Sequence, residues 1–471
     1  MICTDKRGVA ALKNTLRRMD YLFVCKNLRG AADFQDPWYH YPLMEEMLET
    51  LDSPYRETFR LFVLGTPVKY ASFAAELGEE TAADLFSTGI WYRDGDEVKT
   101  NNYVILYYQG ITVVVEINPW YDTCINRNTD VYIGSDSLLL AEKLPYRRGA
   151  VVLDLCSGSG IQGLLAARSA KKVISVELNP KASPMTRFNV LLNGMEDIVE
   201  VREGDLYTVL KPEEKFDCIY ANPPFIPMLD TVEYPICGAG GEDGLMVLRK
   251  ILAGIPERLN KNGEVIIFCE CLGDENGVFF DTEVEKIVRE NDYSCIVMRH
   301  ARLNGGVQIE RLADLTVRFN EKGFDAADFK EKMRNIYARL GAKYLYSLVY
   351  KINNIGEKSE LRYIDYINHW HYEDRAELAP EVTAKRCGDY IDFYRAGKLN
   401  ARCDMETYKL VRLLKNGYTV EKATKLIYME RRGFLGKGGK SYYKLLDEQL
   451  IQCNSLEKSG LISRVPAGGG K

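Results

Sequence analysis

V-V-L-D-L-C-S-G-S-G-I-Q-G, residues Val151 to Gly163, carries the reading of the fold. A run of aliphatic and β-branched residues ends near Asp154, a turn of small residues follows, and Leu164, Leu165, Ala166 and Ala167 open a helical pattern. That is a strand, a glycine loop and a helix. Gly158 and Gly160 carry no Cβ, so the loop tolerates unusual φ/ψ and lets a ligand approach the backbone. The helix start behind it presents unpaired N–H groups and partial positive charge. Gly158, Gly160 and Gly163 also satisfy G-x-G-x-x-G, with acidic Glu177 nineteen positions after Gly158. Taken alone, this pattern fits a dinucleotide site and a nucleoside site equally well.

Working outward, strand-like runs recur at Lys172-Glu177, Ile198-Arg202, Phe216-Ala221 and Glu264-Cys269, with helical stretches between most of them. Such alternation predicts an α/β fold whose parallel sheet is covered on both faces. Two later runs, Tyr293-Arg299 and Gln308-Phe319, flank Asn304-Gly305-Gly306. So short a connection predicts an antiparallel hairpin beside five parallel strands.

Residues 1–55 read as an N-terminal helical segment. In residues 56–128, Phe59-Leu64, Tyr70-Leu77 and Glu79-Ser87 read as short helices. An aromatic strand and turn at Ile90-Asp96 follow, then a strand pair, Tyr103-Tyr108 and Ile111-Ile117, meeting at Gln109-Gly110. Three helices and a β ribbon predict a winged-helix-like substrate-recognition module. Residues 129–322 hold the alternating strands. Residues 323–465 read as an all-helical C-terminal domain that holds 14 of the 30 tyrosines. Its expected helices are Lys330-Leu340, Tyr344-Ile352, Tyr363-His369, Met405-Lys415, Val420-Tyr428 and Tyr442-Leu450. The basic glycine-rich stretch Arg431 to Lys440 lacks the residue order of a triphosphate-binding loop and reads as a surface loop. Residues 466–471 read as a disordered tail.

With 471 residues the chain has room for two or three domains. Its net charge of −5 gives no polyanion-binding signature, which argues against nucleic acid. The charge is uneven: from Asp325 onward there are 27 Lys+Arg against 19 Asp+Glu. A basic rear on an acidic body suits an acidic partner or simply a solvated helical surface. The twelve cysteines include no C-x-x-C pair, which predicts reduced thiols rather than disulfides or zinc. His369-Trp370-His371 lacks metal-ligand spacing, so no metal site is expected. The chain opens with charged Asp5, Lys6 and Arg7 rather than a secretory pattern, and no apolar run approaches a membrane span. A cytoplasmic protein without a membrane partner is expected.

Asn222-Pro223-Pro224-Phe225 follows the fourth strand and Asp205 follows the third. Together with the glycine loop, these resemble the class I S-adenosylmethionine (SAM) methyltransferases that carry N-P-P-[YF]. Glu233-Tyr234-Pro235 and Gly240-Gly241-Glu242-Asp243-Gly244-Leu245 with Arg249 extend the likeness to the HemK-type protein glutamine methyltransferases. The likeness covers about Asp130 to Phe319. The order Glu-Tyr-Pro, where that family has Tyr-Glu-Pro, and Phe at the last motif position depart from it. So do the added front and rear.

The resemblance implies SAM as cofactor, with S-adenosylhomocysteine as product. In the family, the segment ahead of the glycine loop closes over the methionine end, which makes Tyr132, Asp136 and Ser137 candidate contacts; an N-capped helix starting at Ser135 or Asp136 is the plainer reading. Cys156, Ser157, Gly158 and Gly160 supply the loop, and Asp154 holds it or meets the ammonium. Glu177 suits the ribose hydroxyls with Leu178 beside it, and Asp205 with Leu206 suits the adenine edge. Asn222, Pro223 and Phe225 are the candidate catalytic residues, and Asn222 is also counted among the cofactor contacts. Two prolines stiffen the turn, so the Asn222 side chain and the Pro223 carbonyl can accept both protons of a planar NH2 while Phe225 covers its face. Transfer from a sulfonium needs alignment more than acid–base help, so no separate base is expected.

The acceptor implied is a peptide or protein, at a glutamine amide or the isosteric carboxylate of a peptide C-terminus, with an acidic leader matching the basic rear. The alternative is N-methylation of a nucleic-acid base or small metabolite, and a dehydrogenase on the same sheet is the third reading.

Overall fold

The computed structural model describes residues 2–25, 48–117, 129–320, 323–356, 360–365, 370, 373–388, 390–435 and 442–465. The expected tail at 466–471, His369, His371 and residues 436–440 of the basic loop lie outside the described residues, as do residues 26–47 of the expected N-terminal helical segment. The chain divides into two units, Met1–Asp365 and Tyr366–Lys471.

The first unit opens with α1 (Lys6–Arg18), capped by the Asp5 carboxylate, which accepts the Gly8 N–H at 3.0 Å. Helix α2 (Arg56–Phe59) runs into a π-helical turn at Arg60–Leu64, followed by β1 (Val68–Lys69), α3 (Tyr70–Leu77), α4 (Glu79–Phe86), β2 (Trp91–Asp94) and β3 (Glu97–Thr100). Strand β3 lies between β1 and β2, antiparallel to both. Phe59, Phe62, Phe73 and Trp91 fill the space among these elements, with Phe62 stacked on Trp91 at 4.2 Å. A separate hairpin, β4 (Tyr103–Tyr108) and β5 (Ile111–Glu116), turns at Gln109 and Gly110. Both turn residues have positive φ, 46° and 90°, as a two-residue hairpin turn requires.

The sheet region then runs α5 (Ser135–Lys143), β6 (Val151–Leu155), α6 (Ile161–Ala167), β7 (Lys172–Glu177), α7 (Ala182–Asn193), β8 (Val199–Glu203) and β9 (Phe216–Ala221). It continues with α8 (Met246–Arg258), β10 (Leu259–Asp274), β11 (Gly277–Val278), α9 (Asp281–Glu290), β12 (Ser294–Asn304), α10 (Gly305–Phe319), α11 (Ala326–Leu340), β13 (Tyr344–Asn353) and β14 (Leu361–Asp365). The strand order is β14-β12-β13-β10-β9-β6-β7-β8, with β11 paired to the end of β10. Strands β6 to β10 are mutually parallel, and β13 is antiparallel to both its neighbours. Valine, isoleucine and leucine fill both faces of the central strands, as burial beneath helices on two sides demands.

The five parallel strands stand as expected; the hairpin does not. Residues 308–319 lie in α10, not in a strand. Asn304 caps this helix by accepting the Gly306 N–H at 2.8 Å, so the Asn-Gly-Gly read as a hairpin turn is a helix start. Ile309, Leu312, Ala313 and Thr316 are buried at helical spacing. The antiparallel strand is Tyr344–Asn353, expected to be helical. Packed between β10 and β12, it buries Leu345, Tyr346, Leu348, Val349, Tyr350 and Ile352, so no alternation of apolar and polar residues marks it as a strand. Tyr363-Asp365, also read as helix, belongs to β14, parallel to β12. Strands β13 and β14 therefore belong to the first unit's sheet.

The second unit is not all-helical. It holds a sheet of β16 (Val382–Cys387), β17 (Tyr390–Arg395) and β18 (Lys398–Asp404), and β15 (Arg375–Leu378) pairs with β19 (Ile462–Val465). Strands β17 and β18 turn at Ala396 and Gly397, with φ 49° and 75°. Ile391 and Phe393 are buried, and buried Asp392 is held by both guanidinium arms of Arg402 at 2.6 and 2.8 Å. Helices α12 (Met405–Lys415), α13 (Val420–Leu435) and α14 (Tyr442–Lys458) are where the sequence put helices, the last two running longer.

Two asparagines on α7 tie the β4–β5 hairpin to the sheet region. Asn189 accepts the Val114 N–H at 2.8 Å and donates to the Val114 carbonyl at 3.0 Å; Asn193 does the same for Thr112 at 3.0 and 2.7 Å. Alternate residues of a strand lie about 6.7 Å apart, and residues four apart on a helix rise about 6 Å. The spacings match, so two side-chain amides serve where a strand would. Asn189 also donates to the Ser159 carbonyl in the glycine loop at 2.9 Å. Asn189→Ala strands several buried backbone groups and is expected to lower the unfolding free energy by about 2 kcal/mol or more. Half-buried Asn193→Ala should cost about 1 kcal/mol, both read from chemical denaturation midpoints.

Candidate active site

Strand order reverses at β6, whose neighbours are β7 and β9. Ligands of open α/β sheets bind outside the carboxyl ends of the strands at such a point. Leu155, the last residue of β6, pairs in register with Ala221, the last of β9. The glycine loop and the Asn222-Pro223-Pro224-Phe225 corner thus leave the sheet side by side.

The glycine loop is wound tightly. Gly160 N–H donates to Ser157 at 2.7 Å, Ser157 N–H to Val176 at 3.1 Å, and the Thr186 hydroxyl to the Gly158 carbonyl at 2.7 Å. Cys156, Gly158 and Gly160 have φ of 56°, 53° and 80°. A Cβ on Gly160 would lie 2.7 Å from the Thr186 methyl, whereas one on Gly158 would meet nothing within 4 Å. The first glycine is needed for packing. The second faces open space in front of the loop.

Asp154 is buried and accepts the Gly163 N–H at 3.0 Å and the Ser175 hydroxyl at 3.4 Å, so it holds the helix start. Burial pushes its carboxyl up to about 7, against the pull of those two donors. Glu177 accepts the Gly158 N–H at 2.7 Å and the Asn179 N–H at 2.8 Å, and burial raises it too. Its oxygens retain further lone pairs for hydroxyl donors. Leu178 next to it is 51% exposed, an apolar surface beside an acid at the site rim. Asp205 stands at the end of β8 with its carboxylate 3.2 Å from Lys250, and Leu206 after it has φ 48°. Burial, with Glu177, Asp154 and Asp205 nearby, pushes the Cys156 thiol well above its ordinary range, so it stays neutral.

Helix α5 starts at Ser135 after Gly134, with no side-chain cap. Asp136 is not a cap, because its carboxylate accepts the Asn222 Nδ2 at 2.7 Å; the Ser137 hydroxyl lies 3.3 Å from the same nitrogen. A carboxylate accepts only, so the Asn222 amide nitrogen must face Asp136. Its oxygen, Oδ1, is then turned away, buried and without a partner. Tyr132 precedes this helix in a segment secured by Glu116, which accepts the Asp130 and Val131 N–H groups at 2.6 and 2.9 Å. Phe225 is half-buried, its ring edge-on to Phe268 at 5.4 Å.

The residues after the corner are structural. Ile226 N–H donates to Gly238, Gly240 N–H to Ile226 and Met228 N–H to Gly241, at 2.8 to 2.9 Å. A Cβ on Gly244 would lie 2.3 Å from the Phe225 carbonyl oxygen. Tyr234 packs edge-on to Phe319 at 5.4 Å, and Arg249 pairs with Asp243 at 2.8 Å and Glu283 at 3.0 Å. The stretch 233–249 therefore braces the corner from behind. Sequence reading missed the Asp136–Asn222 bond, the asparagine pair on α7 and half-buried Glu270 on β10. The only sign of Glu270 is one acid within an apolar strand.

The buried, unpartnered Ser157 hydroxyl, the open space before Gly158 and the acid of Glu177 beside exposed Leu178 suit a ligand with polar and aromatic parts, as a nucleoside-bearing cofactor has. Among the described residues no cluster could hold a metal ion, the cysteines are free, and no helix is long and apolar enough to cross a membrane.

Residues 129–276 match the family model "Methyltransferase small domain". A putative protein N5-glutamine methyltransferase from Methanocaldococcus jannaschii is 30% identical over 145 residues, 30% of this chain and 72% of that protein. A release factor glutamine methyltransferase from Clostridium acetobutylicum is 36% identical over 31% of this chain and 54% of its own length. A ribosomal protein uL3 glutamine methyltransferase from Bordetella pertussis is 31% identical over 24% and 42%. The chain spans under half the length of the first two curated relatives it matches, at 42% and 46%. The chain belongs to the class I S-adenosylmethionine-dependent methyltransferases. Within that class it resembles the HemK-type glutamine enzymes, and its match to the small-domain model is confined to residues 129–276.

Protonation of Asp154 links stability to pH. Its carboxyl titrates at about 7 folded, against an ordinary value of 3.8. Between those values the unfolded chain is ionised there while the folded chain holds the proton, so this group's stabilisation is complete below about pH 4 and lost as pH rises through about 7. Asp154→Asn is expected to flatten that fall, measured as denaturation midpoints from pH 4 to pH 8.

Proposed function

We propose that this chain methylates a carboxamide nitrogen of a protein or peptide, of the glutamine side-chain type, using the Asn222 corner as acceptor site. One observation carries the reading: Asp136 fixes the Asn222 amide so that its free group is an oxygen. An oxygen accepts N–H protons. A carboxylate acceptor would bring its own oxygens against it, so the amide fits and the isosteric carboxylate does not. The glutamine specificity of the similar proteins agrees with this.

When bound, S-adenosylmethionine supplies an electrophilic methyl on a sulfonium. Ser157, Gly158 and Glu177, with Leu178, Asp205 and Leu206, are the residues that would hold it, and Tyr132 and Ser137 lie on the segment leading over the same cleft. On the acceptor side, Asn222 Oδ1 and the Pro223 carbonyl would each take one N–H proton. That turns the nitrogen's lone pair toward the cleft, while Phe225 covers the planar face. Alignment and exclusion of water then supply the rate, without a separate base. The winged-helix-like front and the basic rear would grip the polypeptide that carries the amide, the rear favouring an acidic stretch. A cytoplasmic setting accords with the free thiols.

Titration calorimetry should show binding of SAM and none of NAD; the reverse would sink the reading. Asn222→Ala is expected to lower turnover by about two to three orders of magnitude while leaving SAM affinity near that of the parent, because the residue meets the acceptor. Mass spectrometry of the methylated product before and after mild base separates a stable N-methyl amide, the expected result, from a labile ester. Methylation of a nucleobase or metabolite instead of a peptide would refute the protein acceptor.

A further inference from the structure

Beyond the Asn222 corner, β10 extends past the end of β9. Ile267 pairs with Ala221, so Phe268, Cys269 and Glu270 stand level with the corner rather than within the sheet's core. Phe268 and Glu270 are two residues apart and point to the same face of the sheet. On that face Phe268 packs against Phe225 at 5.4 Å. Glu270 continues the same line one step outward. Its register partner on β13 is Ser347, whose hydroxyl donates to Glu270 Oε1 at 2.7 Å.

One further observation points to a ligand near this face. Tyr337 on α11 is 3% exposed, and its hydroxyl has no hydrogen-bond partner. Burial raises the phenols of Tyr337 and Tyr234, and the charge of Glu270 adds to both, behind that of Cys237 at Tyr234. Glu270 is itself raised by burial and by Asp136, and lowered by Ser347 and by the Arg311 guanidinium. The corner is thus bordered by two carboxylates, Asp136 committed to Asn222, and Glu270, which accepts the Ser347 hydroxyl and feels the Arg311 guanidinium.

We propose that Glu270, oriented by Ser347 and next beyond the Phe268–Phe225 contact on the same sheet face, is a second anchor of the acceptor pocket that takes N–H donors of the incoming amide or its adjoining peptide group and turns away carboxylates. The inference rests on the amide reading of Asn222 and adds the residue that enforces it. Asn222 selects through one oxygen. Glu270 adds charge: a carboxylate side chain entering beside it meets like charge in a poorly hydrated cleft, where such repulsion is weakly screened. Glu270 is a specificity-determining residue here, not a base.

The test uses the full chain saturated with S-adenosylhomocysteine, and two small probes, N-acetylglutamine amide and N-acetylglutamate amide. Their binding is measured by saturation-transfer NMR with competition. The parent protein is expected to prefer the glutamine probe at least tenfold. Glu270→Gln, which can donate as well as accept, should cut that preference at least tenfold with S-adenosylhomocysteine affinity unchanged. Ser347→Ala keeps the carboxylate but loosens it, and should cut the preference by a smaller factor. It also serves if Glu270→Gln fails to bind S-adenosylhomocysteine. A parent preference that persists undiminished in both variants overturns the anchor alone. A parent protein that binds neither probe, or both alike, overturns the amide reading and the anchor with it.

Discussion

The register between β6 and β9 is the constraint on which the site depends. Leu155 and Ala221 end neighbouring parallel strands at the same level, where the order of the parallel strands reverses. Helices that follow β6 and β9 leave in opposite directions from such a point, which opens a crevice between two loops. One loop is shaped by glycine and the other by proline. The first can come close to a ligand, and the second can hold a side chain and a carbonyl still. Neither property would matter if a one-residue slip put the loops at different heights.

Most surrounding structure serves those two loops without touching the chemistry. Asp154, itself held by the Ser175 hydroxyl, ties down the start of α6. The stretch 233–249, whose likeness to HemK-type proteins is strong in sequence, braces Phe225 through backbone pairing and close glycine contacts. Its match to a family motif therefore reports a requirement of packing. Asp136 departs from this pattern. It sits in the first turn of a helix, where a carboxylate would ordinarily serve the helix dipole, and it is used to fix an amide.

The glycine loop, the acids at the ends of β7 and β8 and the Asn-Pro-Pro-Phe corner were legible because each combines a local conformational demand with a fixed place after a strand. The front helices, the strand and turn at Ile90–Asp96 and the β4–β5 hairpin were legible from turn residues and alternation. What failed was local in another way. Tyr344–Asn353 is buried on both faces, so its apolar residues follow no period, and only its aromatic and branched content distinguishes it from helix. Asn304-Gly305-Gly306 suits a turn and a helix cap alike, and the tertiary packing of Leu312 and Ala313 decides between them. The Asp136–Asn222 bond joins residues 86 apart, and pairing of that range leaves no trace in spacing.

The amide pair on α7 has a consequence for the protein's behaviour in a crowded solution. Strand β5 pairs with β4 on one side only, and an unpaired strand edge is a template for adding another chain. At Thr112 and Val114 the donors and acceptors of that edge are already taken by Asn193 and Asn189. The β5 edge of the ribbon is thereby closed to another strand by two side chains, without an additional strand.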